Sequence, residues 1–138
     1  MRKLAIAATL SFLAVSTPLL ADKPTDGNEL RAGCQLAVAG FDRPANNVTP
    51  ADALRTGLCI GFLNGVAGAH FKDTLRSAEA GRLVPAAFCI PADVTVRQEA
   101  RALLAFLDAH PERLAEDAVT LIYAAFAAAW PCPGIEAK

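Results

Sequence analysis

The sequence predicts an all-α fold, a single compact bundle of four to five helices stapled by two disulfides. The chain is rich in alanine and 54% hydrophobic, with one Trp, one Tyr and few clusters of β-branched residues, which favours helices over sheet. Its apolar residues recur at helical spacing in successive segments. Its four cysteines follow a stretch typical of exported proteins, in which an even set of cysteines normally forms disulfides.

The N-terminus has the pattern of a secretory signal. A basic start, an apolar run over residues 4–15 and a small residue at position 21 match the three regions of a signal peptide. A transmembrane helix needs about 20 apolar residues, so this run is short for an anchor, although an uncleaved anchor is the alternative. We therefore predict a signal peptide over residues 1–21 and a mature helical domain over residues 22–138. This domain is expected to be periplasmic and to have no membrane contact after cleavage.

Charge and length restrict the classes of partner. Removal of the signal takes Arg2 and Lys3 with it and leaves 11 basic against 14 acidic residues, a net charge of −3. This acidic balance disfavours nucleic acid as a partner, because phosphate binding needs a basic face. The mature length suits one domain, and no repeat or linker divides the chain.

The first two helices are predicted from apolar spacing and capping residues. The first helix begins near Glu29 and carries its inward residues at helical spacing: Leu30, Cys34, Ala37, Val38 and Phe41. Thr49 as N-cap, Pro50 at the first helical position and Asp52 in the first turn open the second helix. Its predicted inward face consists of Leu54, Leu58, Gly61, Phe62, Gly65 and Ala69. We expect this helix to end at Gly81 after a charged turn.

Glycines recur at every fourth position of the second helix, at Gly57, Gly61 and Gly65. Each glycine costs about 1 kcal/mol in a helix interior, so the series predicts that another backbone packs closely against this groove. In a membrane the same pattern would indicate a dimerisation face.

The third and fourth helices follow from similar signals. Thr95 and Gln98 predict a capping box, followed by an inward stripe of Val96, Ala100, Leu103, Leu104 and Leu107. We expect His110-Pro111 to end the third helix and to start the fourth, with Glu112 in its first turn. The predicted inward face of the fourth helix is Leu114, Ala118, Leu121, Ile122, Ala125 and Ala129, widened by Val119, Tyr123, Phe126 and Trp130.

Four cysteines permit three pairings, and the helix positions favour one of them. Cys89 precedes the third helix and Cys132 follows the fourth, so an antiparallel hairpin brings them together. Cys34 and Cys59 lie at comparable distances from the turn between the first two helices. We therefore predict the disulfides Cys34–Cys59 and Cys89–Cys132. A zinc site is the competing interpretation, but the chain has no closely spaced cysteine pair of the kind that such sites use.

No catalytic residue, cofactor site or metal site is predicted. His70 lies near the end of an apolar helix face and His110 precedes Pro111 at a helix junction, so structural roles explain both histidines. The sequence contains no G-x-S-x-G, H-E-x-x-H or glycine-rich phosphate loop. We therefore expect a protein that is not an enzyme.

Several short motifs together resemble a known family. In order they are Cys34, residues 59–65 (CIGFLNG), Cys89-Ile90-Pro91, Phe106-Leu107 with His110-Pro111-Glu112, and Trp130-Pro131-Cys132-Pro133. This series resembles the Rap/Tai immunity proteins, which are periplasmic, disulfide-bonded helical proteins of Gram-negative bacteria. The resemblance covers residues 30–133 and implies protection against type VI secretion amidases that cut peptidoglycan cross-bridges.

The resemblance implies a binding protein that blocks a cell-wall amidase effector. By pattern, the candidate partner surface is a helix end and loop with Lys72, Asp73, Arg76, Glu79 and Arg82. An ordinary solvated face is the alternative for these residues. Such inhibitors often act as symmetric dimers, so we also expect a homodimer through the glycine groove or an apolar helix face.

A non-enzymatic periplasmic stress or chaperone-like protein is the alternative function. The alanine-rich fourth helix would support it, but two disulfides oppose a large opening, and only two histidines respond near neutral pH. A small Cys/His hydrolase encoded beside the gene would favour the immunity function, whereas apolar dye binding only at low pH would favour the stress function.

Overall fold

The computed structural model describes residues 25–42, 47–82 and 85–133, which contain four α-helices and one 3₁₀ helix. These are α1 (Gly27–Asp42), α2 (Pro50–Glu79), α3 (Val96–Ala109), the 3₁₀ helix Pro111–Arg113 and α4 (Ala118–Ala129). Among these residues there is no strand, only an isolated bridge between Asp26 and Asp117. The predicted all-α fold is confirmed, whereas the predicted signal peptide lies outside the described residues.

Two helix starts form as their sequences predict. The Thr49 side chain accepts a hydrogen bond from the backbone N–H of Asp52 at 3.1 Å, and α2 begins at Pro50. At the start of α3, the Thr95 and Gln98 side chains each accept from the other's backbone N–H, which completes the capping box. Both caps satisfy backbone donors that the first turn of a helix leaves free.

The start of the fourth helix differs from its prediction. The chain forms only a 3₁₀ turn after His110, and α4 begins at Ala118 behind an Asp117 N-cap. Asp117 accepts from the N–H of Thr120 at 2.9 Å, and hydrogen bonds from Thr120 lower the pKa of the Asp117 carboxyl. The N–H of Ala118 donates to the carbonyl of Thr25 at 2.9 Å. The predicted start of the fourth helix at His110-Pro111 is therefore wrong. The Asp117 side chain and the carbonyl of Thr25 accept hydrogen bonds from backbone N–H groups at residues 120 and 118, so the helix begins at Ala118.

The core is formed by the inward stripes of all four helices. The predicted stripe residues Ala100, Leu103 and Leu107 of α3 are buried. In α4, Leu121 and Ile122 are buried as predicted, whereas Ala129 at the last turn is exposed. The predicted inward residues of α1 are buried or half-buried: Leu30, Cys34, Ala37, Val38 and Phe41.

Both predicted disulfides are confirmed. Cys34 bonds Cys59 with the Cα atoms 5.1 Å apart, and Cys89 bonds Cys132 with the Cα atoms 4.9 Å apart. The first joins α1 to α2 within the helices, and the second joins the segment before α3 to the segment after α4. One disulfide therefore clamps α1 to α2, and the other clamps the outer ends of the α3–α4 pair.

The predicted inward face of α2 is wrong. Its buried residues are Cys59, Leu63 and Val66, whereas Leu54, Leu58, Gly61, Gly65 and Ala69 are exposed and Phe62 is half-buried. The disulfide explains this orientation, because Cys59 must face α1 and residues two positions away lie almost on the opposite side of a helix. The glycines therefore point outward.

The close helix–helix approach occurs at a different glycine. A Cβ at Gly33 of α1 would lie 2.5 Å from the carbonyl oxygen of Arg55 in α2, so only glycine fits. A Cβ at Gly57, Gly61 or Gly65 would meet nothing within 4 Å. Among residues 25–42, 47–82 and 85–133, the predicted close packing against these three glycines is therefore absent.

Candidate functional site

Helix α2 is much longer than its partner α1. Its 30 residues span about 45 Å, against about 24 Å for the 16 residues of α1. The last buried residue of α2 is Val66, so residues 67–79 extend along the edge of the bundle with only half-buried or exposed side chains. The sequence therefore places a long, accessible helix end beside a rigid core.

We call the exposed end of α2, residues 71–79 together with Arg82, the α2 tip. All five residues predicted as the partner surface lie there and are exposed: Lys72, Asp73, Arg76, Glu79 and Arg82. Arg76 pairs with Asp73 at 3.3 Å, and both side chains remain largely in solvent. The structure thus brings the predicted residues together at one end of one helix.

Two apolar side chains of the α2 tip were not identified from the sequence. Phe71 is 63% exposed and Leu75 is 46% exposed. One helical turn separates them, so they form a neighbouring pair on the helix surface. Aromatic side chains are enriched in the buried centre of protein interfaces, which a polar rim surrounds, and Phe71 with its charged neighbours fits this pattern. The i, i+4 spacing of Phe71 and Leu75 within an otherwise charged segment is the signal that could have identified them.

The α2 tip ends in a tight cap. Gly81 has φ +66°, and its N–H donates to the carbonyl of Ala78 at 3.0 Å. The N–H of Arg82 donates to the carbonyl of Ser77 at 2.9 Å. These two bonds form a Schellman motif, in which glycine is favoured because its left-handed conformation strains other residues. The cap fixes the direction in which the chain leaves the helix.

An aromatic cluster anchors the base of the α2 tip. The His70 ring lies 4.0 Å from the ring of Phe88 and 5.9 Å from that of Tyr123, and Phe88 packs edge-on against Phe126 at 5.3 Å. The His70 Nε2–H donates to the carbonyl of Phe88 at 3.0 Å, which fixes the protonated nitrogen. The cluster joins α2, α4 and the segment that precedes α3.

A second exposed apolar surface lies on the outward side of α2. We call it the glycine face: Leu54, Gly57, Leu58, Gly61, Phe62, Gly65 and Ala69 of α2, with Val119 and Tyr123 of α4. Most of these residues line a shallow groove of about 460 Å³. The glycine spacing is visible in the sequence, but this face was predicted to lie inside the bundle.

The family model for Rap1a immunity proteins matches residues 26–132, which include all four described α-helices and both disulfides. The chain belongs to the Rap1a immunity protein family. The resemblance noted from the cysteine, glycine and proline motifs is therefore confirmed. No curated protein and no solved structure matches the chain.

Membership of the Rap1a family supports an immunity role and implies an effector protein as the partner. The family is generally non-enzymatic. Within the described ranges, no three His, Cys, Asp or Glu residues are grouped as metal ligands would be, and no helix is both long and apolar enough to cross a membrane.

Both histidines of this Rap1a family member make structural contacts. His70 belongs to the aromatic cluster. His110 ends α3, where its ring lies 4.5 Å from that of Phe106 and its Nδ1 lies 3.2 Å from Glu112. These contacts agree with the structural roles predicted for both residues.

Proposed function

We propose that the chain is a periplasmic immunity protein that binds and blocks a peptidoglycan amidase delivered by type VI secretion. Membership of the Rap1a immunity protein family supports the immunity role. The signal-like residues 1–21 and the two disulfides favour an oxidising compartment outside the cytoplasm. An amidase that cuts peptidoglycan would be met in the same compartment.

The α2 tip is the proposed inhibitory surface, and the exposed pair Phe71 and Leu75 is the observation that carries this proposal. A projecting helix end can enter a substrate cleft and exclude peptidoglycan. Phe71 and Leu75 would be buried there as anchors, and Lys72 and Arg76 would form a charged rim. Truncating such an anchor typically costs about 1–4 kcal/mol of binding free energy.

The fold favours tight binding by restricting this surface before the partner arrives. The Schellman motif fixes the end of the helix, and the aromatic cluster and the Cys89–Cys132 disulfide hold its base. Less conformational entropy is then lost on association than with a flexible loop.

The test is rescue of cells that express the toxin in the periplasm, using the small Cys/His hydrolase encoded beside the gene where one is present. The mature chain is exported with it, either unchanged or as Phe71→Gln/Leu75→Gln. We expect the unchanged chain to prevent lysis and the double variant to fail, because its anchors are polar. Val48→Gln is the control, since it changes an exposed apolar residue that lies outside both the α2 tip and the glycine face. Lysis despite abundant, oxidised wild-type protein would contradict the immunity proposal for that toxin.

A homodimer through the glycine face completes the proposal. Leu54 and Leu58 are exposed on this face beside open glycines, so a second copy of α2 can approach closely and cover both leucines. Sedimentation of the oxidised mature chain tests it. We expect wild type and Phe71→Gln/Leu75→Gln to sediment as dimers and Leu54→Gln/Leu58→Gln to sediment as a monomer. A wild-type monomer at high concentration would contradict the dimer but would leave inhibition by the α2 tip intact.

A further inference from the structure

Glu99 is a buried acid in the first turn of α3. The residue is only 8% exposed, and its Oε2 atom has no hydrogen-bond partner among the described residues. Buried carboxyl groups are normally paired, because a charge taken out of water needs compensation. Burial accordingly raises the pKa of the Glu99 carboxyl. A buried carboxyl oxygen without a partner in a mostly apolar wall is a group that a ligand could satisfy.

Glu99 lines a pocket of about 380 Å³ between α2 and the segment before α3, which we call the Glu99 pocket. This volume lies within the range of small-ligand sites, about 300–1,000 Å³. The other lining residues are mostly apolar or aromatic: Ala67, His70, Phe71, Thr74, Ala86, Phe88, Cys89 and Ile90. The pocket therefore combines an apolar wall with one strong acceptor.

The other polar side chains of the wall have already used their donors. The His70 Nε2–H donates to the Phe88 carbonyl at 3.0 Å, and the Thr74 hydroxyl donates to the His70 carbonyl at 2.9 Å. Neither donor is free for the Glu99 carboxylate or for a ligand. A ligand that satisfies Glu99 would bring its own hydrogen-bond donor, and a positive charge would compensate the carboxylate best.

We propose that the Glu99 pocket binds a cationic group on an apolar stem, either an alkylammonium or an alkylguanidinium. The cation would pair with the Glu99 carboxylate, and the stem would pack against Phe88 and Ile90. The face of an aromatic ring adds attraction for a cation in such a site.

Two sources can supply this chemistry. Phe71 belongs both to the pocket wall and to the α2 tip, so a Lys or Arg side chain of a bound effector can reach the pocket. A free amine or guanidine is the other source. Only the first source depends on the proposed immunity function.

Titration of the isotope-labelled, oxidised mature chain tests the pocket directly by NMR. The probes are n-butylamine, n-butylguanidine and, as a neutral molecule with the same stem, n-butanol. We expect saturable shifts at Glu99, Phe88 and Ile90 with both cations, and affinity for n-butanol weaker by about tenfold or more, because it lacks the charge. Equal affinity for the alcohol and the cations, or no saturable shift, would overturn the proposal.

Two variants and one control separate charge from shape. Glu99→Gln preserves shape and should weaken cation binding by about tenfold or more, while Glu29→Gln, which changes an exposed acid of α1, should change nothing. Ala67→Leu narrows the pocket with Glu99 intact and should weaken all three probes. It keeps the test decisive where Glu99→Gln folds poorly. Unchanged cation affinity in a folded Glu99→Gln or Ala67→Leu chain would overturn the proposal.

Competition assigns the source of the cation. If n-butylguanidine weakens effector binding by the wild-type chain but not by Glu99→Gln, a basic side chain of the effector occupies the pocket. If the cation binds and the effector is still held equally well by both chains, the ligand is a free cation. Both results support the pocket, and a failed rescue experiment leaves the titration with small cations valid.

Discussion

Cys34–Cys59 and Cys89–Cys132 have similar Cα separations, 5.1 and 4.9 Å, but they lie in different surroundings. Cys34 and Cys59 are 0% and 1% exposed and belong to the core between α1 and α2. Cys89 is exposed, Cys132 is half-buried, and their bond ties two loop segments together. We therefore expect Cys34–Cys59 to maintain the fold and Cys89–Cys132 to hold the base of the α2 tip and the wall of the Glu99 pocket.

The largest expected effect is loss of the buried disulfide. The loop-entropy model gives about 3.5 kcal/mol for Cys34–Cys59 and about 4 kcal/mol for Cys89–Cys132, so it ranks the exposed bond slightly higher. Removing two buried sulfur atoms also leaves a cavity in the first case, which costs at least about 1 kcal/mol more. We therefore expect Cys34→Ala/Cys59→Ala to lower the free energy of unfolding more than Cys89→Ala/Cys132→Ala. Urea denaturation of both variants measures the difference, and the reverse order would contradict the assignment.

The same glycine-to-alanine change should have opposite effects beside the buried disulfide and on the outer face of α2. Gly33→Ala places a Cβ against the Arg55 carbonyl and should destabilise the chain by about 1–3 kcal/mol. Gly61→Ala enters open space and should stabilise the helix by roughly 0.5–1 kcal/mol, because alanine is the better helix former. Thermal unfolding at low protein concentration compares the two. A stabilising Gly33→Ala would show that α1 and α2 do not approach so closely.

Loss of the exposed disulfide should open one region locally. The N–H of Cys89 donates to the carbonyl of Trp130 at 2.9 Å beside this bond. In Cys89→Ala/Cys132→Ala we expect the amide of residue 89 to exchange with solvent about tenfold faster or more, because local opening then costs less free energy. Amides in the middle of α1, such as that of Ala37, serve as the internal control. Uniformly faster exchange throughout the chain would indicate that this disulfide maintains the whole fold.

The smallest expected effect is a pH dependence beside the exposed disulfide. Burial raises the pKa of Glu99 above its ordinary value of 4.5, so the folded chain keeps this proton to a higher pH than the unfolded chain. Its contribution to stability is complete below the unfolded pKa and is lost as the pH rises through the folded pKa. Glu99→Gln should match wild type at low pH and exceed it near neutral pH by up to about 1 kcal/mol.

Urea midpoints for both chains across this pH range measure that difference. His70 lines the same pocket and is unchanged in both chains. A gap that widens towards acid pH would contradict the sign.

Local signals predicted much of the fold. The Thr49 and Thr95 caps each depend on residues within three positions, and the tertiary contacts leave them unchanged. The disulfide pairing followed from the order of the helices. The start of α4 could not be predicted in this way, because the N–H of Ala118 finds its acceptor at Thr25, far away in sequence.

The orientation of α2 was the main failure, and it concerned the candidate site. The helix has apolar residues on two sides, so periodicity alone selected Leu54 and Leu58 as the inward side. The predicted pairing of Cys34 with Cys59 already required the other side to face α1. Glu99 was missed for a different reason. It falls at helical spacing between Val96 and Leu103, on the inward face of α3, where an acid was not expected to be buried.

The most direct test of the central claim is titration of the purified amidase with the oxidised mature chain while peptidoglycan cleavage is measured. We predict complete inhibition near one chain per amidase, a large loss of inhibition for Phe71→Gln/Leu75→Gln, and inhibition for Val48→Gln that matches wild type. Full amidase activity in excess wild-type chain, or equal inhibition by the Phe71→Gln/Leu75→Gln variant, would contradict inhibition through the α2 tip.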